Sequence, residues 1–226
     1  MAKHIFDRVE KKYVPSEIQY KKLIKMLEGK MQLDKYGFST ICNIYFDTYN
    51  YELIRTSLDK PIYKEKVRLR SYGVPTLESK VFLEIKKKYK GVVNKRRIEM
   101  TLKEAYDYID RGNIKEYTQI MREIDYCFKR YDLKPAIYLA YDRYAYQGLE
   151  NPEFRVTFDF NIRSREDELR LEKGDYGDLL TDEQIYIMEV KTLGSIPMWF
   201  VKILSYLKIY PHSFTKYGEI YKEKIG

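Results

Sequence analysis

Lysines and arginines recur at every second position along several short stretches of this chain, a spacing that sets them on one side of an extended strand. Lys66, Arg68 and Arg70 alternate with Val67 and Leu69. Glu84, Lys86 and Lys88 oppose Leu83 and Ile85, and Lys95, Arg97 and Glu99 follow a turn at Gly91. Glu10 and Lys12 share a face with Arg8, Arg143 with Tyr141, Arg155 with Thr157 and Asp159, and Lys191 with Glu189. The opposite faces are apolar, most plainly in Phe154, Val156, Phe158 and Phe160. Guanidinium forks grip phosphate oxygens bidentately, and carboxylates hold divalent cations. Strands with such faces suit a polyanion that carries a divalent metal.

The elements that position these faces follow from composition and pattern. The chain has 226 residues, with 42 Lys and Arg against 34 Asp and Glu, a formal charge of +8 that points to an anionic partner. A charged fraction of 34% would favour disorder without apolar mass, but 24 Tyr and 10 Phe supply the material of a core. About eight strand patterns alternate with helical ones at Ser16–Glu28, Tyr49–Leu58, a segment opened by the capping box Thr101 to Glu104, Ile114–Tyr131 and Pro197–Leu207. Without repeats or a Gly/Ser linker, residues 1–226 are expected to form one α+β domain, mostly antiparallel.

Each strand alone is compatible with a sheet whose charged side is simply wet. A sheet this long also tends to curl or close, because open edges are costly. With amphipathic helices available to cover the apolar faces, the charges would then line an interior that must be wet and hold anions. Cys42 and Cys127 read as buried free thiols, and His4 and His212 lack the spacing of a zinc site. The longest apolar run is too short to cross a bilayer, and Met1 to Arg8 is neither a signal peptide nor an anchor, so the cytoplasm is the expected location.

In order along the chain, Arg8 to Tyr13, Ile44 to Asp47, Val67 to Gly73, Phe82 to Lys86, Tyr141 to Arg143, Phe154 to Asp159, Met188 to Lys191 and Phe214 to Tyr217 resemble the VTC (polyphosphate polymerase) domain of the triphosphate tunnel metalloenzyme, or CYTH-like, superfamily. The resemblance implies an eight-stranded antiparallel β tunnel, a closed barrel with a charged lumen and helices packed outside. It implies catalytic phosphate contacts from Arg68, Arg70, Lys86, Arg143, Arg155 and Lys191, and substrate binding by Lys12, Lys95, Arg97 and Lys216. Glu189 would coordinate Mg²⁺ or Mn²⁺, with Glu10 and Glu84 as further candidates for the metal or for orienting cations. Two departures stand out. The first strand carries one glutamate before its lysine where the superfamily has two, and Ser213 occupies a position where the eukaryotic polymerases have a second lysine.

The implied activity is transfer of the γ-phosphoryl group of ATP onto a growing polyphosphate chain. Rival readings are a triphosphatase or tripolyphosphatase on the same fold, a non-catalytic polyphosphate-binding subunit, and an RNA-binding module. The alternation of cations on strands argues against nucleic acid as the partner. The family's eukaryotic proteins carry sensing and membrane-spanning regions that this sequence lacks, so a channel role would need a membrane-protein partner.

Overall fold

Amphipathic strands bury one face only when something covers it, and in the computed structural model of this chain helices do so. The structure describes residues 8–181 and 184–225, so His4 lies outside the described residues. In chain order the elements are β1 (Arg8–Tyr13), α1 (Glu17–Leu27), β2 (Met31–Asp47), α2 (Glu52–Leu58), β3 (Tyr63–Tyr72), β4 (Lys80–Tyr89), β5 (Val92–Thr101), α3 (Leu102–Arg111) and α4 (Gln119–Tyr131). They continue with β6 (Lys134–Gly148), β7 (Arg155–Arg165), β8 (Asp178–Leu179), β9 (Ile187–Leu193), α5 (Met198–Tyr206) and α6 (Lys216–Ile220). The hydrogen-bonded order is β1-β9-β7-β6-β2-β3-β4-β5, with the short β8 on β7. This is the α+β, antiparallel arrangement expected from the alternation, with the eight strands that the resemblance implies and a short ninth beside them.

Two compact units divide the chain. One contains the chain as far as Ser39, Tyr141–Ile162 and Thr181–Thr215. The other contains Thr40–Ala140, Arg163–Leu180 and the chain from Lys216. In the first unit Tyr13, Phe154, Val156, Phe158, Met188 and Val190 pack against Leu23 and Leu27 of α1 and Phe200, Ile203 and Leu204 of α5. Ser16 starts α1 with a capping box closed by Gln19. In the second unit Ile44, Phe46, Val67, Leu69, Leu83 and Ile85 pack against Leu102 and Ala105 of α3 and Met121 and Ile124 of α4. The Thr101 and Glu104 capping box is present at α3. The β4–β5 hairpin closes through Lys90 (φ 46°) and Gly91 (φ 87°), the left-handed pair that a two-residue hairpin turn requires.

Three boundaries differ from the sequence pattern. The second helix starts at Glu52 instead of Tyr49, because Tyr51 turns left-handed (φ 58°) and the Asp47 carboxylate accepts the N–H groups of Leu53 and Ile54. The fourth starts at Gln119 instead of Ile114, capped by the Thr118 hydroxyl. The first half of β2 escapes the period-two test because Asp34 accepts the N–H groups of Tyr36 and Gly37, and Gly37 takes φ 52°. Cys42 and Cys127 are buried free thiols, and burial pushes the Cys127 thiol up to about 12. Among the described residues, no helix is long and apolar enough to cross a membrane.

Phe158 is fully buried in the first unit, so Phe158→Ala should destabilise the protein by about 3–5 kcal/mol through lost burial and the cavity left behind. Thr101→Ala removes only a helix cap and should cost about 1 kcal/mol. Urea unfolding would resolve the difference, and equal losses would contradict this placement of the core.

Candidate functional site

With the apolar faces turned to the helices, the charged faces of both units lie on the opposite side of their strands. In the second unit the register aligns Tyr45, Arg68, Glu84 and Arg97 across β2, β3, β4 and β5, with Lys66, Lys86 and Lys95 in the neighbouring row. Glu84 is 2% exposed and sits among three cations. Its Oε2 lies 2.7 Å from Arg68 Nε and Nη2 and 4.0 Å from Arg70 Nε, and its Oε1 lies 3.0 Å from Lys95 Nζ. Burial alone would raise the Glu84 pKa, but Arg68, Arg70 and Lys95 pull it down to about 2. Lys95, whose side chain keeps 42% of its surface exposed, still moves down to about 8, because partial desolvation and the two arginines outweigh the attraction of Glu84.

The arginines are aimed by neutral groups as well. Arg68 Nη1 donates to the Tyr45 hydroxyl at 3.0 Å, and Arg70 Nε donates to Asn43 Oδ1 at 3.0 Å. Asn43 is oriented in turn by donating to the Leu139 carbonyl. Burial would raise the Tyr45 pKa, yet Arg68, Arg70 and Lys66 bring it down to about 8. Tyr217 packs against the Tyr45 ring at 4.9 Å and donates to Asp47 Oδ2 at 3.0 Å. Lys216 opens α6 immediately before it. Arg97 stacks over Phe82, 4.5 Å from the ring centroid.

In the first unit the cations meet carboxylates individually. Arg143 makes a bidentate pair with Asp159, 2.5 Å and 2.8 Å long, and Arg155 reaches Asp34 at 2.6 Å. Burial works against the Arg143 charge, but Asp159 outweighs it and holds the guanidinium firmly protonated. Lys191 Nζ lies 3.2 Å from Glu189 Oε2, and Lys12 Nζ donates to the Phe214 carbonyl at 3.0 Å. The register sets Glu10 opposite Lys191, Lys191 opposite Arg155, Lys12 opposite Glu189 and Glu189 opposite Thr157.

Among the described residues, no three His, Cys, Asp or Glu side chains converge as a metal cage built from protein alone would require. Glu84 is ringed by three cations, while Glu189 lies beside Lys191. Opposite Glu189 in the register, the buried Thr157 Oγ1 has no hydrogen-bond partner. Two such hard oxygen donors are of the chemistry that would suit Mg²⁺ or Mn²⁺.

Arg68, Arg70, Lys95 and Glu84 are therefore in contact within one unit, and Lys191 and Glu189 within the other. Asp34, Asp159, Asn43 and Tyr45 were not singled out from the sequence as site residues. Shared parity with the cations could have flagged Asn43, Tyr45 and Asp159. Asp34 is signalled only by the turn it makes before Gly37.

Comparison with solved structures found a candidate adenylate cyclase from Bacillus halodurans, with TM-score 0.59 and 16% identity over 96% of this chain and 97% of that one. A candidate adenylyl cyclase from Hippeastrum, described as having a dominant triphosphatase activity, gives TM-score 0.54 and 14% identity over 95% of each chain. At these identities the likeness concerns the fold. Comparison with curated proteins found no match. The family model described as the VTC domain matches residues 7–223. With that match spanning nearly the whole chain, the chain belongs to the VTC domain family.

Proposed function

We propose that residues 1–226 act as one domain that transfers the γ-phosphoryl group of ATP onto the end of a polyphosphate chain, within the closed, charged tunnel that the family resemblance implies. The observation that carries this reading is the clustering of Arg68, Arg70 and Lys95 around one ionised, buried Glu84. That cluster keeps guanidinium forks aimed before a ligand arrives, so little reorganisation is needed when phosphate oxygens replace part of the Glu84 contact. Phosphoryl transfer needs in-line positioning and charge neutralisation, and no protein nucleophile.

Arg68, Arg70, Lys86, Lys95 and Arg97 would neutralise one stretch of phosphate oxygens. Arg143, Arg155, Lys191 and Lys12 would neutralise another, with Lys216 as a further contact. Glu189, with the Thr157 hydroxyl beside it, would hold the divalent ion, Mn²⁺ or Mg²⁺. Bound there, that ion supplies charge stabilisation to phosphate oxygens. The acceptor phosphate is the nucleophile. A triphosphatase, in which water takes the place of the acceptor, uses the same residues and is the second reading; the activity described for the Hippeastrum neighbour favours keeping it in view. The reading places the protein in the cytoplasm, with any channel role left to a membrane-protein partner.

Purified protein incubated with ATP and Mn²⁺ should yield an elongated phosphate chain by gel and phosphorus NMR. Orthophosphate as the sole product would transfer the assignment to the hydrolase. Glu189→Gln should abolish turnover while polyphosphate binding persists or tightens, since a repelling carboxylate is removed. Lys191→Met should weaken binding and turnover together, because its attraction acts in both the ground and transition states. Near-normal turnover of Glu189→Gln at saturating Mn²⁺ would refute the metal role.

The pH dependence follows from the two groups near 8. As pH rises from 7 to 9, Lys95 loses its positive charge and Tyr45 gains a negative one. Phosphate affinity should therefore fall across that range, and Tyr45→Phe should flatten part of the fall in a calorimetric titration series. Glu84 acts at the acid end. Its depressed pKa contributes stability above its unfolded value and loses it as pH falls toward about 2. Glu84→Gln should destabilise the ligand-free protein by about 3 kcal/mol, because it removes the counter-charge shared by the buried Arg70 and the half-buried Arg68.

A further inference from the structure

A helix that covers a sheet buries one stripe and presents charge on the other, and two helices of this protein follow that rule. Glu17, Lys21, Lys22 and Lys25 face water on α1 beside a single large apolar residue, Ile18, and Arg122, Lys129 and Arg130 do so beside Tyr126 on α4. The helix α5 departs from it. Its inner side buries Phe200, Ile203 and Leu204 in the core of the first unit. Its outer stripe, at the i, i+3, i+4, i+7, i+8 spacing, consists of Met198, Val201, Lys202, Ser205 and Tyr206, all exposed. Met198 is 68% exposed and Tyr206 76%. A largely apolar stripe with one charge therefore faces solvent.

The charges around the stripe have one sign. The sequence contains no Asp or Glu between Glu189 and Glu219, and the exposed Lys208 and Tyr210 follow the end of the helix. Among the described residues, neither Lys202 nor Lys208 has a carboxylate partner. The stripe is also firmly held. Trp199 packs edge-on against Phe154 and Phe200, and Gln19 of α1 donates to the Leu207 carbonyl at 2.9 Å, which ties the end of α5 to its neighbour.

Apolar and cationic groups mixed without acids complement an apolar body edged with negative charge. A second copy of this chain does not supply one, because a two-fold contact through the stripe brings lysines together with no acid between them. A lysine in the middle of the stripe also argues against a protein partner, since protein interfaces are depleted in lysine. A bilayer surface suits both kinds of group. Tyrosine rings settle at the headgroup level, and lysine stems lie along the acyl boundary while their ammonium groups reach lipid anions.

We propose that the outer stripe of α5, together with Lys208 and Tyr210, docks the protein peripherally on an anionic lipid bilayer. Insertion is shallow, about 5–10 Å into the boundary between headgroups and acyl chains. The docking residues are separate from the charged strand faces, so the inference stands apart from the phosphate reading above.

Co-sedimentation of the intact protein with phosphatidylcholine vesicles, with and without phosphatidylserine, tests it. The wild type should bind the phosphatidylserine vesicles, and more weakly as salt rises. Lys202→Gln/Lys208→Gln should lower that affinity about fivefold per lysine removed. Met198→Ser/Tyr206→Ser should lower it about tenfold through lost apolar burial. All four side chains are exposed, so melting curves should be unchanged, and tripolyphosphate affinity should stay within about twofold. Trp199 is the only tryptophan of the chain and adjoins the stripe, so acyl-brominated lipids should quench its fluorescence. Vesicle binding that survives both double variants, or that tripolyphosphate displaces while Trp199 stays unquenched, would place the contact on the charged strand faces and overturn the proposal. A wild type that ignores both kinds of vesicle would overturn it as well, and self-association lost in Met198→Ser/Tyr206→Ser would then assign the stripe to a second copy.

Discussion

A carboxylate as buried as Glu84 remains ionised only when positive groups replace the water it has lost. Arg68, Arg70 and Lys95 come from two different strands flanking its own, so their meeting depends on the β3–β4–β5 register. A slip of one residue would turn these charges toward α3 and α4 and expose Leu69 and Leu83 on the other side. The core beneath the helices and the charged face opposite are thus two results of one constraint. Each residue that packs against a helix obliges its neighbours to face the other way.

The two units meet this constraint differently. In the first, acids and bases pair almost one to one, as in Arg143 with Asp159 and Arg155 with Asp34, so an incoming anion must compete with a carboxylate for each fork. In the second, one acid serves three bases, and the face continues into paired lysines. Three cations thus share the single Glu84 on the face of β3, β4 and β5 turned away from the helices. Neutral groups limit the freedom of these cations: Tyr45 and Asn43 hold the two arginines by hydrogen bonds that do not reduce their charge. Preorganised cations of this kind neutralise phosphate without first being collected from solution.

Much of this was legible because period-two alternation is a local signal. The face shared by Lys66, Arg68 and Arg70, the turn at Gly91 and the capping box at Thr101 each lie within a few residues. The carboxylate partners were harder to find because the chain brings them from far away. Asp34 and Arg155 stand 121 residues apart in sequence, and only the fold makes them neighbours. Local patterning failed where side chains override it: the Asp34 turn breaks the alternation of β2, and Asp47 reaches forward to set the start of α2. The short α6 contains too few residues to show a helical period, yet it carries Tyr217 to Asp47.

The proposed activity requires the charged faces to serve a phosphate polyanion instead of merely stabilising the sheet. Calorimetric measurement of tripolyphosphate binding to the intact protein across a series of salt concentrations tests this most directly. If lysines and arginines neutralise phosphates, the logarithm of the affinity should fall linearly and steeply with the logarithm of salt, each phosphate neutralised adding roughly 0.7 to the slope. Binding that ignores salt, or no binding at low ionic strength, would contradict it.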